Sequence, residues 1–341
     1  MPTPSTRQHT GQARQGLTLL ELLLVLGILS AVMGLGLGMF AALDVSKRQA
    51  VGLVRNTLRS AQNSAISRRA EAAVRIEPKR RALAPRFQQI IGTWHFESPE
   101  LAGAFGISGR AIDAELTEDG YIGRALELDV EAEGARVELP IQRDSASDFR
   151  YGFALECALR RGSADAGEIA NAGGCFGLQV LRDGALRGWF APEANAQDGG
   201  VARGGHVIAQ SEPGALPLGV WKRVRFEYAQ QELVLSIDGV AVARVEEQAP
   251  VWALEGPLVI GSARSPFRGQ LDALVLTAVA ATADVELPKG VSFPPESELV
   301  LRFQAGGGLD RRAHEKPVRI ALDFEDGARE WITVGLYGTV E

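Results

Sequence analysis

Trp221-Lys222-Arg223-Val224-Arg225-Phe226 is followed, after a short gap, by Leu233-Val234-Leu235-Ser236-Ile237-Asp238-Gly239. Apolar and polar residues alternate through both stretches, the period of a strand with one face buried. Asp238-Gly239 closes the second, and such a pair favours the tight turn of an antiparallel hairpin. The same texture of short alternating strands and Gly-rich turns, such as Asp183-Gly184, runs from about Gly92 to Ala280. With 39 glycines and only 6% aromatics in the chain, the pattern predicts a two-sheet antiparallel β sandwich.

Ahead of this region the pattern is different. Gly16-Leu17-Thr18-Leu19-Leu20-Glu21 opens a run that stays apolar to Leu43, with Glu21 as its charge. About 20 such residues, at a rise of 1.5 Å each, cross a bilayer. A lone carboxylate at the membrane centre costs roughly 2.5–3.5 kcal/mol, somewhat less near the edge, which marks Glu21 as functional. No small-x-small cleavage site follows, and the run is too long for the core of a secretory signal. Arg7, His9 and Arg14 precede it, and Lys47, Arg48 and Arg55 follow it, so charge alone does not orient the span. Beyond Leu43 a stripe of Val51, Val54, Leu58, Ala61 and Ala65 recurs at three- and four-residue spacing. This predicts one long helix to about Arg69, half in lipid and half packed on a head. Arg55, Arg59, Arg68 and Arg69 fall on its other faces and read as solvated. A short strand follows over 72–78. Val318–Phe324 and Trp331–Val334, joined by Glu325-Asp326-Gly327, read as a hairpin.

The formal net charge of −6 over 341 residues gives no sign of nucleic-acid binding. The four histidines (His9, His95, His206 and His314) are scattered without ligand spacing. There is no nucleotide-binding loop and no serine-nucleophile elbow. The two cysteines, Cys157 and Cys175, exclude Cys-x-x-Cys clusters. They fall on strands predicted at 152–160 and 175–182. Period two places Cys157 with the apolar Phe153, Leu155 and Leu159, but Cys175 opposite Phe176, Leu178 and Val180. The expectation is therefore two unpaired thiols.

Gly16-Leu17-Thr18-Leu19-Leu20-Glu21 resembles the cleavage and methylation signal of type IV prepilins and type II secretion pseudopilins. The resemblance implies that a prepilin peptidase cuts between Gly16 and Leu17 and methylates Leu17. It also implies that Glu21 pairs with a terminal amine in the filament. Leu17 stands where Phe is commoner, and Gly34, Gly36 and Gly38 replace the helix-loosening proline of major pilins. Val291-Ser292-Phe293-Pro294-Pro295 and the final Gly335-Leu336-Tyr337-Gly338-Thr339-Val340 resemble the last segments of H-type minor pseudopilins. The middle region resembles a LamG-like, concanavalin A-type jelly roll. It does so through Trp94-His95-Phe96-Glu97, Gly123-Arg124-Ala125-Leu126-Glu127-Leu128, the two stretches quoted first, Leu258-Val259-Ile260-Gly261, and Phe267-Arg268-Gly269-Gln270-Leu271-Asp272-Ala273-Leu274. In that family an aspartate at the position of Asp272 often helps to hold structural calcium, with Glu97 the candidate partner here; the other reading, and the preferred one, is an aspartate satisfied by turn amides. Trp221 takes the family's core position. Trp189, Trp252 and Tyr121 read as buried aromatics in preference to a ligand platform. Glu127-Leu128-Asp129-Val130-Glu131 matches the Glu-x-Asp-x-Glu signature of family 16-type glucanases. Its early position in the module, however, puts its acids on a solvent face. Glu127 and Glu131 would also lie about 13 Å apart on a strand, against the 5–5.5 Å of a retaining pair.

The expected chain is mainly β: an antiparallel LamG-like jelly roll inserted in a pilin-like α+β head on a long N-terminal helix. Residues 1–16 are the leader, 17–43 the transmembrane helix and 44–90 the amphipathic helix and first strand. Residues 91–285 are the jelly roll and 286–341 the returning β segment. The expected role is structural, not enzymatic: a minor pilin or pseudopilin displaying a glycan- or protein-binding domain. A membrane-anchored glycan hydrolase and a tethered binder that never assembles are the rivals. Other pilins or pseudopilins, the peptidase and membrane lipid are the implied partners. The expected location is the bacterial inner membrane, single-pass, with the C-terminal domain outside. On this reading Glu21→Ala leaves the protein cleaved and in the membrane but abolishes its incorporation into a filament. Shearing and immunoblotting of filaments reads this, and normal co-assembly overturns it.

Overall fold

The computed structural model describes residues 19–104, 107–128, 134–141, 148–193, 205–251, 256–297 and 299–341, without side chains at 20, 21 and 31–45. Gly16, Leu17, Asp129, Glu131 and Trp252 lie outside the described residues, as does the side chain of Glu21. The fold is mainly β, and its antiparallel sheets are consistent with a jelly-roll sandwich.

Helix α1 (Leu19–Arg68) has 50 residues, so it is about 75 Å long. Its second half carries the expected stripe: Ala50, Val54, Leu58, Ala61 and Ala65 are at most 1% exposed. Three of the five are alanines, which let the strands approach the helix closely. The stripe begins at Ala50, not Val51, which is only half-buried. At the other end Leu22, Leu23, Leu24, Val25, Leu26, Ile28 and Leu29 are each 48–62% exposed. Among the described residues no helix is long and apolar enough to cross a membrane. The expected span includes positions 31–43, whose side chains lie outside that description.

The head packs the α1 stripe against β1 (Ala72–Glu77), the start of β2 (Ala82–Trp94), strand Leu299–Phe303 and the hairpin Val318–Phe324/Arg329–Val334. That hairpin forms as expected, with Ile320 opposite Ile332 and Gly327 at φ 79° in its turn. The expected closing strand at 335–340 is instead a turn. Only Val340 returns, in a single bridge to Val334, because Gly335 to Gly338 fold back on themselves.

The sandwich has two faces. One sheet orders the strands Val207–Gln210, Leu186–Phe190, Phe176–Val180, Gly167–Ala172, Leu258–Gly261, Arg136–Leu139 and Arg110–Ile112. The other runs Val240–Glu246, Glu232–Ile237, Trp221–Ala229, Gly152–Arg161, Gly269–Ala281, β2, β1 and Leu299–Phe303. Between them lies an aromatic core in which Phe153 stacks on Phe176 at 3.9 Å and meets Phe226 edge-on at 5.1 Å.

The second sheet is shared by head and sandwich. Residues 82–87 of β2 pair with β1, and residues 86–94 pair with Gly269–Ala281, from Arg86 opposite Ala281 to Trp94 opposite Leu274. The chain therefore enters and leaves the sandwich on adjacent strands of one continuous sheet, with no loop-tip insertion. The expected boundary at 90/91 falls inside β2. Phe87 sits by the end of α1, its ring 5.7 Å from the Arg68 guanidinium, so the sandwich lies beyond the end of the helix farthest from Leu19.

Two expectations inside the sandwich are corrected. Cys175 is not on the polar face: it is fully buried in the turn before Phe176–Val180, where the period-two argument does not extend. Trp221 is only half-buried, packed on Tyr121 at 5.8 Å and under Arg160, while among the described residues Trp94 is the fully buried tryptophan. Neither cysteine forms a disulfide, and both thiols are buried. Burial pushes the Cys175 thiol up to about 12, and that of Cys157 higher still. A thiol reagent is thus expected to label neither cysteine in the native protein and both together on unfolding. Labelling of either one under native conditions contradicts this packing.

Candidate functional site

Three places on the described surface bring functional side chains together. The first is the loop 119–124. Asp272, fully buried, accepts the backbone N–H of Ile122 at 2.9 Å and of Ala273 at 2.6 Å. Glu97 accepts the N–H of Arg124 at 3.3 Å. Gly123 fits there because it has no Cβ, which would lie 2.4 Å from a Glu97 oxygen, and because its φ is +71°. The LamG-like resemblance implied these two acids as calcium ligands; here each accepts a backbone amide of the same loop. Their oxygens face amide protons, however. Calcium takes six to eight oxygens, and no group of three or more His, Cys, Asp or Glu able to hold a metal occurs among the described residues. The donor set as it stands does not fit the ion.

The second place is the outer face of the sheet that contains Leu186–Phe190. Trp189 is half-buried there, lying over Gly177, whose absent Cβ would fall 2.6 Å from the indole. His206 stacks on it at 4.2 Å. Arg187 donates to Gln210 at 2.8 Å in the adjacent register. Trp189 therefore lies outside the core, and Tyr121 is 42% exposed. Both depart from the expectation of buried aromatics. Of the acidic stretch at 127–131, the described strand stops at Glu127, which Gln270 binds through its amide.

The third place was not found from sequence. Between the end of α1 and the outer face of the shared sheet lies a cleft of about 440 Å3. Its floor is Ile90, Val275 and Thr277. Strand Trp221–Ala229 supplies Arg225, whose Nε donates to Glu227 at 2.9 Å and whose Nη1 donates to Glu156 at 3.2 Å. Gln88 of β2 donates to Glu227 at 2.8 Å and to Glu71 at 3.4 Å. Asp310, opposite, accepts the Gln304 amide at 3.2 Å and the backbone N–H of Arg312 at 3.0 Å. Residues 69–71, 88–90, 225, 275–277 and 304–312 come from both parts of the chain, so no local spacing announces them. The one local signal is the alternation Arg223-Val224-Arg225-Phe226-Glu227, which puts three charges on one strand face.

No protein-family model matches the chain, and no curated protein matches it. Several solved structures are similar to it. Domain 4 of an extracellular arabinanase from Geobacillus stearothermophilus, solved with arabinotriose, is 15% identical over 57% of this chain and 95% of that one, with a TM-score of 0.39. The binding domain of Paraclostridial mosquitocidal protein 1 is 9% identical over 73% of this chain and 78% of that one, with a TM-score of 0.45. A sialidase mutant of Trypanosoma rangeli is 14% identical over 55% of this chain but only 30% of that one, with a TM-score of 0.38. Likeness at this level carries no functional argument.

Burial, then the nearby Glu227, raises Glu71 above the ordinary 4.5; Asp310 adds to this, and Arg225 and Arg302 oppose it. Its folded pKa thus exceeds its unfolded one, so the native state binds the proton more tightly. Stability must fall as pH rises through the folded value, and the penalty persists at neutral pH. Glu71→Gln is expected to raise the denaturation midpoint at pH 7 and to flatten stability between pH 4.5 and neutrality. Urea titrations across that range check it, and a lower midpoint at pH 7 would falsify the assignment.

Proposed function

We propose that this protein is a pilin-like membrane protein, a minor pilin or pseudopilin, that displays a jelly-roll module for binding a ligand outside the cell. The observation that carries the reading is the division of labour along α1. Its far half is sealed into a head by Val54 and Leu58, while Leu22 to Leu29 stand exposed, with none of the described residues packed over them. Burying each such Leu, Ile or Val gains about 1.5–3 kcal/mol, so this end needs lipid or neighbouring helices around it. Glu21 lies next to that stretch, in the position that the prepilin resemblance assigns to the assembly carboxylate. A buried carboxylate demands a cationic partner, and a newly freed amine at Leu17 supplies one.

Display is supported by the shared sheet. Because β2 and Gly269–Ala281 run unbroken from head to sandwich, the module is held at a set angle beyond the end of α1. Its outward surfaces, the Trp189 face and the cleft at the junction, are the candidate binding surfaces. The Glu127–Gln270 contact gives no support to a hydrolytic carboxylate pair, and binding is preferred to catalysis.

Mass spectrometry of the mature N-terminus tests the reading, on membranes made with and without the prepilin peptidase. The expected chain starts at methylated Leu17 only when the peptidase is present. An intact N-terminus in both preparations reduces residues 1–43 to a plain anchor and removes the pilin-like reading.

A further inference from the structure

We infer that the cleft between the head and the sandwich is a binding site for a carboxylate-bearing saccharide, with Arg69 and Arg312 as its anion contacts. The inference rests on the module being a displayed binding surface and names the ligand class of one of its sites.

Spare hydrogen-bonding capacity around the cleft belongs to its cations. The acids around the cleft are engaged. Glu227 and Glu156 hold Arg225, and Glu227 also accepts Gln88. Asp310 accepts Gln304 and caps the turn at Arg312, and Glu71 is within 3.4 Å of the Gln88 amide. The cations are not used up. Arg69 and Arg312 line the cleft, are exposed, and form no ion pair among the described residues. Nη2 of Arg225, covered from solvent, also has no partner among the described residues. The ligand must therefore bring acceptor oxygens, and two free guanidinium groups favour an anion that accepts in pairs, as a carboxylate does.

Size and lining carry the choice from a bare anion to a sugar. At about 440 Å3 the cleft is in the range of small-molecule sites, roughly 300–1,000 Å3, and much larger than one inorganic anion needs. Its floor of Ile90 and Val275, with Thr277 beside them, suits the C–H face of a pyranose ring. Gln88 and Gln304 stand where amides can meet hydroxyls, which both donate and accept. The site exists because the two parts of the chain share a sheet. Arg69 is held at the end of α1 by a residue conformation with φ +49°, and Arg312 follows the Asp310 turn. An anion bound beside Glu71, Glu227 and Asp310 also favours protonation of Glu71, so binding takes up a proton and tightens on acidification.

The test is isothermal titration of the full chain in detergent micelles against oligogalacturonate, oligomannuronate and sialyllactose. The methyl ester of each, lactose and inorganic phosphate serve as controls. At least one acid is expected to bind, with its ester about tenfold weaker or worse. Arg69→Gln and Arg312→Gln, both on the surface, are each expected to weaken it about tenfold while leaving the circular dichroism spectrum and the melting midpoint unchanged. The inference is overturned if no acid binds at millimolar concentration, if the esters bind equally well, or if both variants bind like the parent. Phosphate binding as tightly as the best saccharide also overturns it, in favour of a plain anion site. Filament assembly is scored separately through Glu21, so a failed pilin-like reading leaves this result standing.

Discussion

Strand β2 and the strand Gly269–Ala281, 13 residues each, hold the molecule together. Their antiparallel pairing from Arg86/Ala281 to Trp94/Leu274 belongs to two cores at once. Leu83 and Phe87 of β2 face the helix core, and Ile91 and Trp94 face the sandwich core. Backbone hydrogen bonds inside a sheet have no alternative partners once water is excluded, so neither unit can rotate against the other without breaking the ladder. A loop insertion would have left a hinge at this point. The shared ladder leaves a stem, with a register shift between Leu276 and Thr277 as its only irregularity against β2.

That stem explains where the charged groups gather. The outer face of the sheet needs cover near the end of α1, but the head offers only a turn, Asp310 to His314, and the residues just past Arg68. Polar side chains fill the gap: Arg225 with Glu227 and Glu156, then Gln88 and Glu71. His314 serves the same turn by accepting the Arg302 backbone N–H at 3.0 Å, and burial keeps its imidazole below the ordinary value. The result is a polar seam between two apolar cores, with room left over. Elsewhere the polar requirement is met locally, as where buried Asp272 binds the Ile122 and Ala273 amides.

Much of the fold was legible because its signals are local. The stripe Val54, Leu58, Ala61, Ala65 has the helical period, and all four are sealed from solvent. Leu233, Leu235 and Ile237 alternate as a strand must, and Asp238-Gly239 turns with φ of 50° and 79°. The errors fall where local period stops. Cys175 precedes its strand by one residue, so alternation assigned it the wrong side. Trp221 sits at a strand's first residue, near the edge of the sandwich, where a core position by family likeness becomes a half-covered one. Gly335 and Gly338 let the last segment fold into a turn where residue composition read as a strand.

The helix, the β character of the middle region and the C-terminal hairpin are all written in the sequence alone. Each follows from periodicity, turn chemistry or family spacing within a short stretch of chain. That the sandwich is continuous with the head, and that a cleft forms where they meet, is settled by long-range strand pairing. It also decided that Arg69, Arg225 and Arg312 line that cleft together. Those residues are separated by more than 80 positions along the chain. Strand pairing is set by the summed burial of both cores, a long-range quantity that no local pattern encodes.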